Sequence, residues 1–403
     1  MTEIGLIEGG VTAPTGFLAG TAAAEIKHKA KKDVAVLFST APATAAGVFT
    51  KNLVKAAPVL LSQKHLAAGQ AQGVVVNSGN ANACTGAGGL ADAGAMAAAA
   101  ALALGVKEEL ILVASTGVIG QPLPMDKVLP GIRAAVAGLS ASGGRAAAEA
   151  IMTTDTRLKE VAVEFTLGGR QVRLGGMAKG SGMIHPDMAT LLCFITTDAA
   201  ILPVYLQQAL RQAVEASFNQ ITVDRDTSTN DTALLLANGL AGNPVINGDG
   251  ADYRLFRQAL TEVCIGLARE LAADGEGATK LIEVTVRQAP SPNDARQAAK
   301  AVAGSNLVKA AIFGNDANWG RVICALGYSG AIFQPEKVEI YLGEVRVAQN
   351  GAPVDFSEAA ALAALQRETV AINIDLHQGN HAATAWGCDL TYDYVKINGA
   401  YRT

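Results

Sequence analysis

Apolar runs that stop at glycine-rich turns alternate along the whole chain with alanine-rich stretches of helical periodicity. That alternation admits a mixed α/β architecture (α+β), with several sheets and flanking helices. Gly73–Val76 reads as a buried strand entering the loop Asn77–Gly89, and Gly88–Gly105 as the helix beyond it. Glu109–Ser115 is a second apolar strand, stopped by Thr116-Gly117. Asp126–Leu139 and Gly144–Met152 carry helical periodicity. Val161–Leu167 and Arg170–Leu174 alternate apolar and polar residues around Gly168-Gly169, a hairpin signal. Thr190–Thr196 is an apolar strand, Leu202–Ser217 and Tyr253–Ala273 are amphipathic helices, and Lys337–Val347 and Val370–Leu376 are strands. No βαβ unit of fixed length recurs, and no repeat, low-complexity linker or Pro-rich hinge divides the chain.

The 403 residues are half hydrophobic and only 17% charged, against roughly 25% in typical domains. Such a chain buries much of itself in thick layers or in a subunit interface. The apolar excess is Ala and Val; Ala91–Leu104 is the nearest approach to a membrane span and reads as too short and too weakly apolar to be one. Net charge is −4, with no basic stripe, and the cluster Lys27, Lys29, Lys31, Lys32 reads as a solvated edge. Nucleic acid and membrane are therefore not expected partners. The five cysteines, at 84, 193, 264, 324 and 388, are scattered and form no C-x-x-C pair, which predicts reduced thiols in the cytoplasm. The beginning, MTEIGLIEGGVTAPTGF, has acidic residues and no apolar core, so it does not read as a secretory signal.

The densest punctuation lies in Gly175-Gly176 and Gly180-Ser181-Gly182, which lead through His185-Pro186 to Ala189-Thr190 and the following apolar strand. A small residue ahead of a hydroxyl residue suits self-cleavage, because little bulk hinders attack by the Thr190 hydroxyl on the Ala189 carbonyl. The α-amine so freed has a reference pKa of about 7.7–8.0, and it can take the hydroxyl proton during attack. From residue types alone, a strand that merely starts with Thr after a glycine loop is the favoured reading.

KGSGMIHPDMATLL resembles the cleavage and nucleophile motif of the ornithine acetyltransferase (glutamate N-acetyltransferase) family. VNSGNANACTG, STGVIGQPLP, MTTDT, FNQITVDRDTSTNDT, DGEGATK, AIFGNDANWGR and DLTYDYVKINGAYRT resemble further family segments, in family order and over nearly the whole chain. The resemblance implies a self-processing fold shared with certain aminopeptidases. It also implies cleavage into an α chain of residues 1–189 and a β chain of residues 190–403, and assembly as a pair of such heterodimers.

By the same resemblance Thr190 is the catalytic nucleophile, and Thr116 and Gly117 form the oxyanion hole. Thr154, Lys179, Thr190, Glu276, Asn398 and Thr403 contact substrate. Of the pair Thr153 and Thr154 the second is taken as the match. Glu276 is the acidic partner for a substrate ammonium. The implied reaction transfers acetyl from N-acetylornithine to glutamate, and no metal or organic cofactor is needed because the acetyl group travels on the protein. The resemblance leaves acetyl-CoA open as a second donor. An N-terminal-threonine amidohydrolase or aminopeptidase is the competing enzyme reading. His377 and His381 have metal-ligand spacing, but Gly379-Asn380 between them argues for a loop. His185 has no assigned role. Asp224, Asp226 and Asp231 are expected to hydrogen-bond turns rather than hold a metal. Asn77, Asn80 and Asn82 should organise a turn. Family members more often carry glycine where Arg225 stands.

Overall fold

The computed structural model describes residues 4–185 and 191–400. Among these residues two mixed sheets carry the fold, one of nine strands and one of seven. In the centre of the first, Leu192–Thr197 pairs antiparallel with Arg170–Lys179 on one side and parallel with Thr232–Ala237 on the other. Both neighbours are covered in turn, so this strand is apolar throughout rather than alternating. Cys193 and Ile195 face one core with the helices Pro203–Ala216 and Ala251–Ala273, while Leu192 and Phe194 face the opposite core with Phe17, Leu37 and Met177.

The expected hairpin is present as Lys159–Leu167 and Arg170–Lys179. Leu167 pairs with Arg170 across a two-residue turn in which Gly168 and Gly169 both have positive φ, 52° and 77°, the backbone that a tight hairpin of this twist requires. Farther across the same sheet, Val34–Phe49 pairs with Phe17–Ala22, Gln70–Asn80 and Thr232–Ala237. Gln70–Asn80 pairs parallel with Ile111–Val118. The second sheet is built around Leu281–Ala289, between Thr369–Asp375 and His381–Cys388, and packs against the helices Pro292–Ala303, Asn306–Phe313 and Trp319–Gly327.

Two expectations are corrected. Lys337–Val347 is not one strand but a hairpin, Glu339–Leu342 and Val345–Gln349, because Gly343 turns the chain at φ 59°. The helix after the Asn loop begins earlier than the apolar core of its sequence suggests, at Gly86, and runs to Leu104. At 19 residues it is long and apolar enough by composition to cross a membrane. In the fold its face of Ala93, Met96, Ala97, Ala100 and Ala101 packs on Val75, Ile111 and Val113 instead.

Candidate active site

Four strand ends and loops converge on a cavity of about 280 Å³. Its first wall is the end of Ile111–Val118, carrying Thr116 and Gly117. Gly117 has φ +135°, and any side chain there would collide with the Gly79 backbone across the parallel pair. Glycine is needed for this close approach. The asparagines behind it organise the turn as expected. Asn77 donates to the Asn80 carbonyl at 2.9 Å, Asn80 accepts from the Asn82 N–H at 2.8 Å, and Ser115 donates to the Asn77 side chain at 2.5 Å. This polar staple fixes the strand end that presents Thr116.

Lys179, the last residue of Arg170–Lys179, enters from the neighbouring side. It is buried, and its ammonium donates to Thr153 Oγ1 at 2.8 Å and to Thr116 Oγ1 at 3.2 Å, with Asp155 at 4.0 Å. Burial lowers its pKa, partly offset by the Asp155, Asp231 and Glu276 carboxylates. Because Thr116 Oγ1 accepts from Lys179, its own hydrogen is left to point elsewhere. Thr153 and Thr154 both line the cavity, and it is Thr153, not Thr154, that binds Lys179.

Opposite stands Glu276, 7% exposed, whose carboxylate accepts from Asn398 Nδ2 at 2.8 Å. That bond docks the helix Tyr392–Ala400 onto the cavity and places Asn398 in its lining. A side chain at Gly182 would meet the Glu276 carboxylate, so the two positions pack directly against each other. Tyr394 also lines this wall; burial first, then Asp224, Glu276 and Asp226, push its phenol well above the usual range.

Leu191 and Leu192 line the cavity, which brings the amino end of the central strand into it. Ala189, Thr190 and Thr403 lie outside the described residues. Ahead of them, Asp224 accepts from the backbone N–H groups of Met183 and Ile184 at 2.6 and 2.8 Å, and His185 sets its ring on Thr222 at 2.9 Å. Asp224 thus supports a turn, as expected. Arg225 adopts φ +71°, the left-handed backbone that favours glycine. His377 lies in a loop bonded to Gln288. Among the described residues no group of three or more His, Cys, Asp or Glu side chains is placed to hold a metal.

Residue types did not reveal a buried ion cluster beneath the cavity. Lys159, fully buried, donates to Asp155 at 2.8 Å and to Asp274 at 2.6 Å. Asp155 also accepts from the N–H groups of Thr153 at 3.0 Å and Gly180 at 2.6 Å. Burial acts to raise the Asp155 pKa, yet the two lysines hold it well below the carboxylate range. Asp274 accepts from Thr156 and Arg157, and its carbonyl accepts from Ser181. One lysine therefore ties together the three segments that carry Thr153, Lys179 and Glu276. The only signal was that Asp155 and Asp274 fall inside the segments MTTDT and DGEGATK.

The ArgJ family model matches residues 18–403. The chain belongs to the ArgJ family. A relative from Symbiobacterium thermophilum, the arginine biosynthesis bifunctional protein ArgJ, is 61% identical over 399 residues, 98% of this chain and 99% of that protein. The protein of the same name from Caldanaerobacter subterraneus is 52% identical over 402 residues, 99% of this chain and all of that one. Among solved structures, arginine biosynthesis bifunctional protein ArgJ from Bacillus halodurans matches with TM-score 0.50 and 48% identity, covering 51% of this chain and 97% of that one. The mixed α/β architecture is thus that of the ArgJ family.

Proposed function

We propose that this chain is an ornithine acetyltransferase of arginine biosynthesis, a glutamate N-acetyltransferase that carries the acetyl group on Thr190. The observation that carries the reading is the convergence of Thr116, Gly117, Lys179 and Glu276, from three separate segments, on one cavity that Leu191 also lines. It joins donors for an oxyanion to a cation and an anion for a zwitterionic amino acid, beside the residue that follows Thr190.

Thr190 attacks the acetyl carbonyl of N-acetylornithine, giving its proton to its own α-amine. The free hydroxyl hydrogen of Thr116 and the N–H of Gly117 stabilise the oxyanion. Lys179 receives a substrate carboxylate, Glu276, braced by Asn398, receives a substrate ammonium, and Thr154 and Thr403 are further substrate contacts by the family match. Ornithine leaves, and glutamate takes the acetyl group. The relatives' name, bifunctional, supports a second donor for glutamate, acetyl-CoA.

The α-amine arises by self-cleavage between Ala189 and Thr190, giving an α chain 1–189 and a β chain 190–403. Leu192–Thr197 is central in its sheet, paired to Arg170–Lys179 on the α side, so the halves stay one folded body. The Bacillus halodurans chain, matched over nearly its full length yet covering about half of this one, supports a protein made of two polypeptides. Exposed apolar side chains such as Leu53 and Leu102 support assembly as a dimer of these heterodimers, and the five free cysteines suit the cytoplasm.

Intact mass of the wild type beside Thr190→Ala tests the cleavage: two species in the first and one in the second are expected. Ornithine release from N-acetylornithine should require glutamate, with parallel initial-rate lines. Release without glutamate would make the protein a hydrolase, and an uncut wild-type chain would remove the general base from this mechanism.

A further inference from the structure

A lysine-rich loop at residues 23–33 is built against Gln70–Asn80, the strand beside the one that carries Thr116 and Gly117. Asp33, buried at its base, accepts from the N–H groups of Ala24 at 2.6 Å and Ile26 at 2.7 Å. Lys31 donates to the Met152 carbonyl at 2.9 Å, next to Thr153, and Lys127 donates to the Glu25 carbonyl at 3.0 Å. Gly79 pairs with Gly117 across the two parallel strands, and a Cβ on Gly79 would come within 3.0 Å of the Lys27 Cβ. Lys27 therefore stands just beyond the strand that neighbours Gly117. Thr153 lines both the main cavity and a small hollow of about 40 Å³, which it shares with Lys27, His28, Lys31 and Gly79. Lys27, His28 and Gly79 in turn line an outer groove of about 610 Å³. The apolar wall of the groove is Ile26, Val118, Pro122 and Pro124. Asn80 Nδ2 fixes that wall by donating to the carbonyls of Gln121 at 3.1 Å and Pro122 at 3.2 Å. The loop carries Lys27, Lys29, Lys31 and Lys32 against Glu25 and Asp33, in a protein of net charge −4. Asp33 is turned inward on its two N–H donors, so the exposed charge of the loop is positive and attracts anions.

We propose that this loop and groove bind the phosphate groups of the second acetyl donor, a coenzyme A thioester. This rests on the acetyl-transfer reading above. The 280 Å³ cavity suits an amino acid such as ornithine or glutamate, and Lys179 and Glu276 already meet the charges of one. Neither amino acid carries a phosphate, so the lysine loop has no part in that cycle. A coenzyme A thioester is built differently: a nucleotide with a pyrophosphate and a 3′-phosphate, joined by a long pantetheine arm to the acetyl group. Its acetyl carbonyl must reach Thr116 and Gly117 while its nucleotide stays outside, because a cavity of that size cannot hold both. Alternate residues of the same two strand ends line the two spaces, Gly117 and Ala81 the cavity, Val118 and Asn80 the groove. The hollow that joins Thr153 to Gly79 lies between them, and the arm crosses there. Lys27 and His28 in the groove, with exposed Lys29 and Lys32 in the same loop, meet the phosphates, and the apolar wall takes the adenine ring.

Calorimetry of the purified protein with coenzyme A, dephospho-coenzyme A and pantetheine tests this, since the three share the arm and differ in their phosphates. The wild type should bind coenzyme A about tenfold or more tightly than pantetheine, and added salt should narrow the gap. Dephospho-coenzyme A then names the group. Binding like coenzyme A assigns the loop to the pyrophosphate, and binding like pantetheine assigns it to the 3′-phosphate. Lys29→Glu with Lys32→Glu should erase most of the preference, and Lys29→Gln with Lys32→Gln should lie between. The matched control is Lys64→Glu with Lys107→Glu, both exposed near the amino end of Ile111–Val118, and it should keep the preference. A wild type that binds coenzyme A no more tightly than pantetheine overturns the proposal, whatever the variants do. So does a preference that survives both changes in the loop, or one that falls equally in the control pair, because the charge of the whole chain would then be at work. Failure of the acetyl-transfer reading shows separately, as an uncut chain without an acetyl adduct from N-acetylornithine in the mass spectrum.

Discussion

Lys159 and Lys179 stand on adjoining strands of one hairpin, where Lys159 pairs with Ala178, and both are buried, yet their surroundings differ. Lys159 has two carboxylates at hydrogen-bond distance and a backbone carbonyl at 3.2 Å. Lys179 has two hydroxyls and a carboxylate only at 4.0 Å. A buried charge is tolerated when it is paired and its protons are all accepted. By that measure Lys159 is complete within the fold, whereas Lys179 is under-compensated and faces a cavity. The difference teaches where stability ends and function begins: one lysine closes the frame and the next offers an unspent charge to a ligand.

The sharpest way to break the comparison is Lys159→Met. It strands Asp155 and Asp274 as buried carboxylates without a cation, which should cost about 3–5 kcal/mol. The segments bearing Thr153, Lys179 and Glu276 should loosen together, so activity falls with stability. A denaturant midpoint that moves by less than a third of this would mean that water or another cation replaces the lysine. Lys179→Met should do the reverse. Removing a desolvated, half-paired charge should alter stability by no more than about 1 kcal/mol, while the acetyl-transfer rate falls by about 10²-fold or more. Equal stability losses in the two variants would erase the distinction between them.

The same contrast separates what the sequence discloses from what it hides. Leu192–Thr197 and the Gly168-Gly169 hairpin were legible because burial on both faces, or a forced turn, leaves a local composition signal. The 16-residue strand Val34–Phe49 was not. Its Ala, Thr and Pro residues have no strand-like period, and an irregularity between Phe38 and Ala43 breaks what alternation there is. Thr116, Gly117, Lys179, Glu276 and Asn398 were found through family motifs, and the structure brings all five to one cavity. Residue types could not show Lys159, because a lysine opening an alternating strand looks solvated until the partner 115 positions away is placed against it.

Arg225 gives the smallest effect and the finest test of the same boundary. Its left-handed backbone, φ +71°, lies next to Asp224, whose carboxylate holds Met183 and Ile184 ahead of the proposed cleavage site. A non-glycine residue there carries about 1–2 kcal/mol of strain, while glycine gives back about 0.4–1 kcal/mol through the freer unfolded chain. Arg225→Gly should therefore stabilise the protein by about 0.5–1 kcal/mol, read as a higher denaturant midpoint. If the strain belongs to the frame alone, the cleavage rate and the acetyl-transfer rate stay as they were. If it is transmitted through Asp224 to the scissile segment, cleavage of the newly made chain slows as the fold gains stability, and pulse-chase of the precursor would show it. Either way the left-handed position is tied to a measured quantity, and a midpoint lower than that of the wild type would show that the arginine side chain contributes more than its backbone costs.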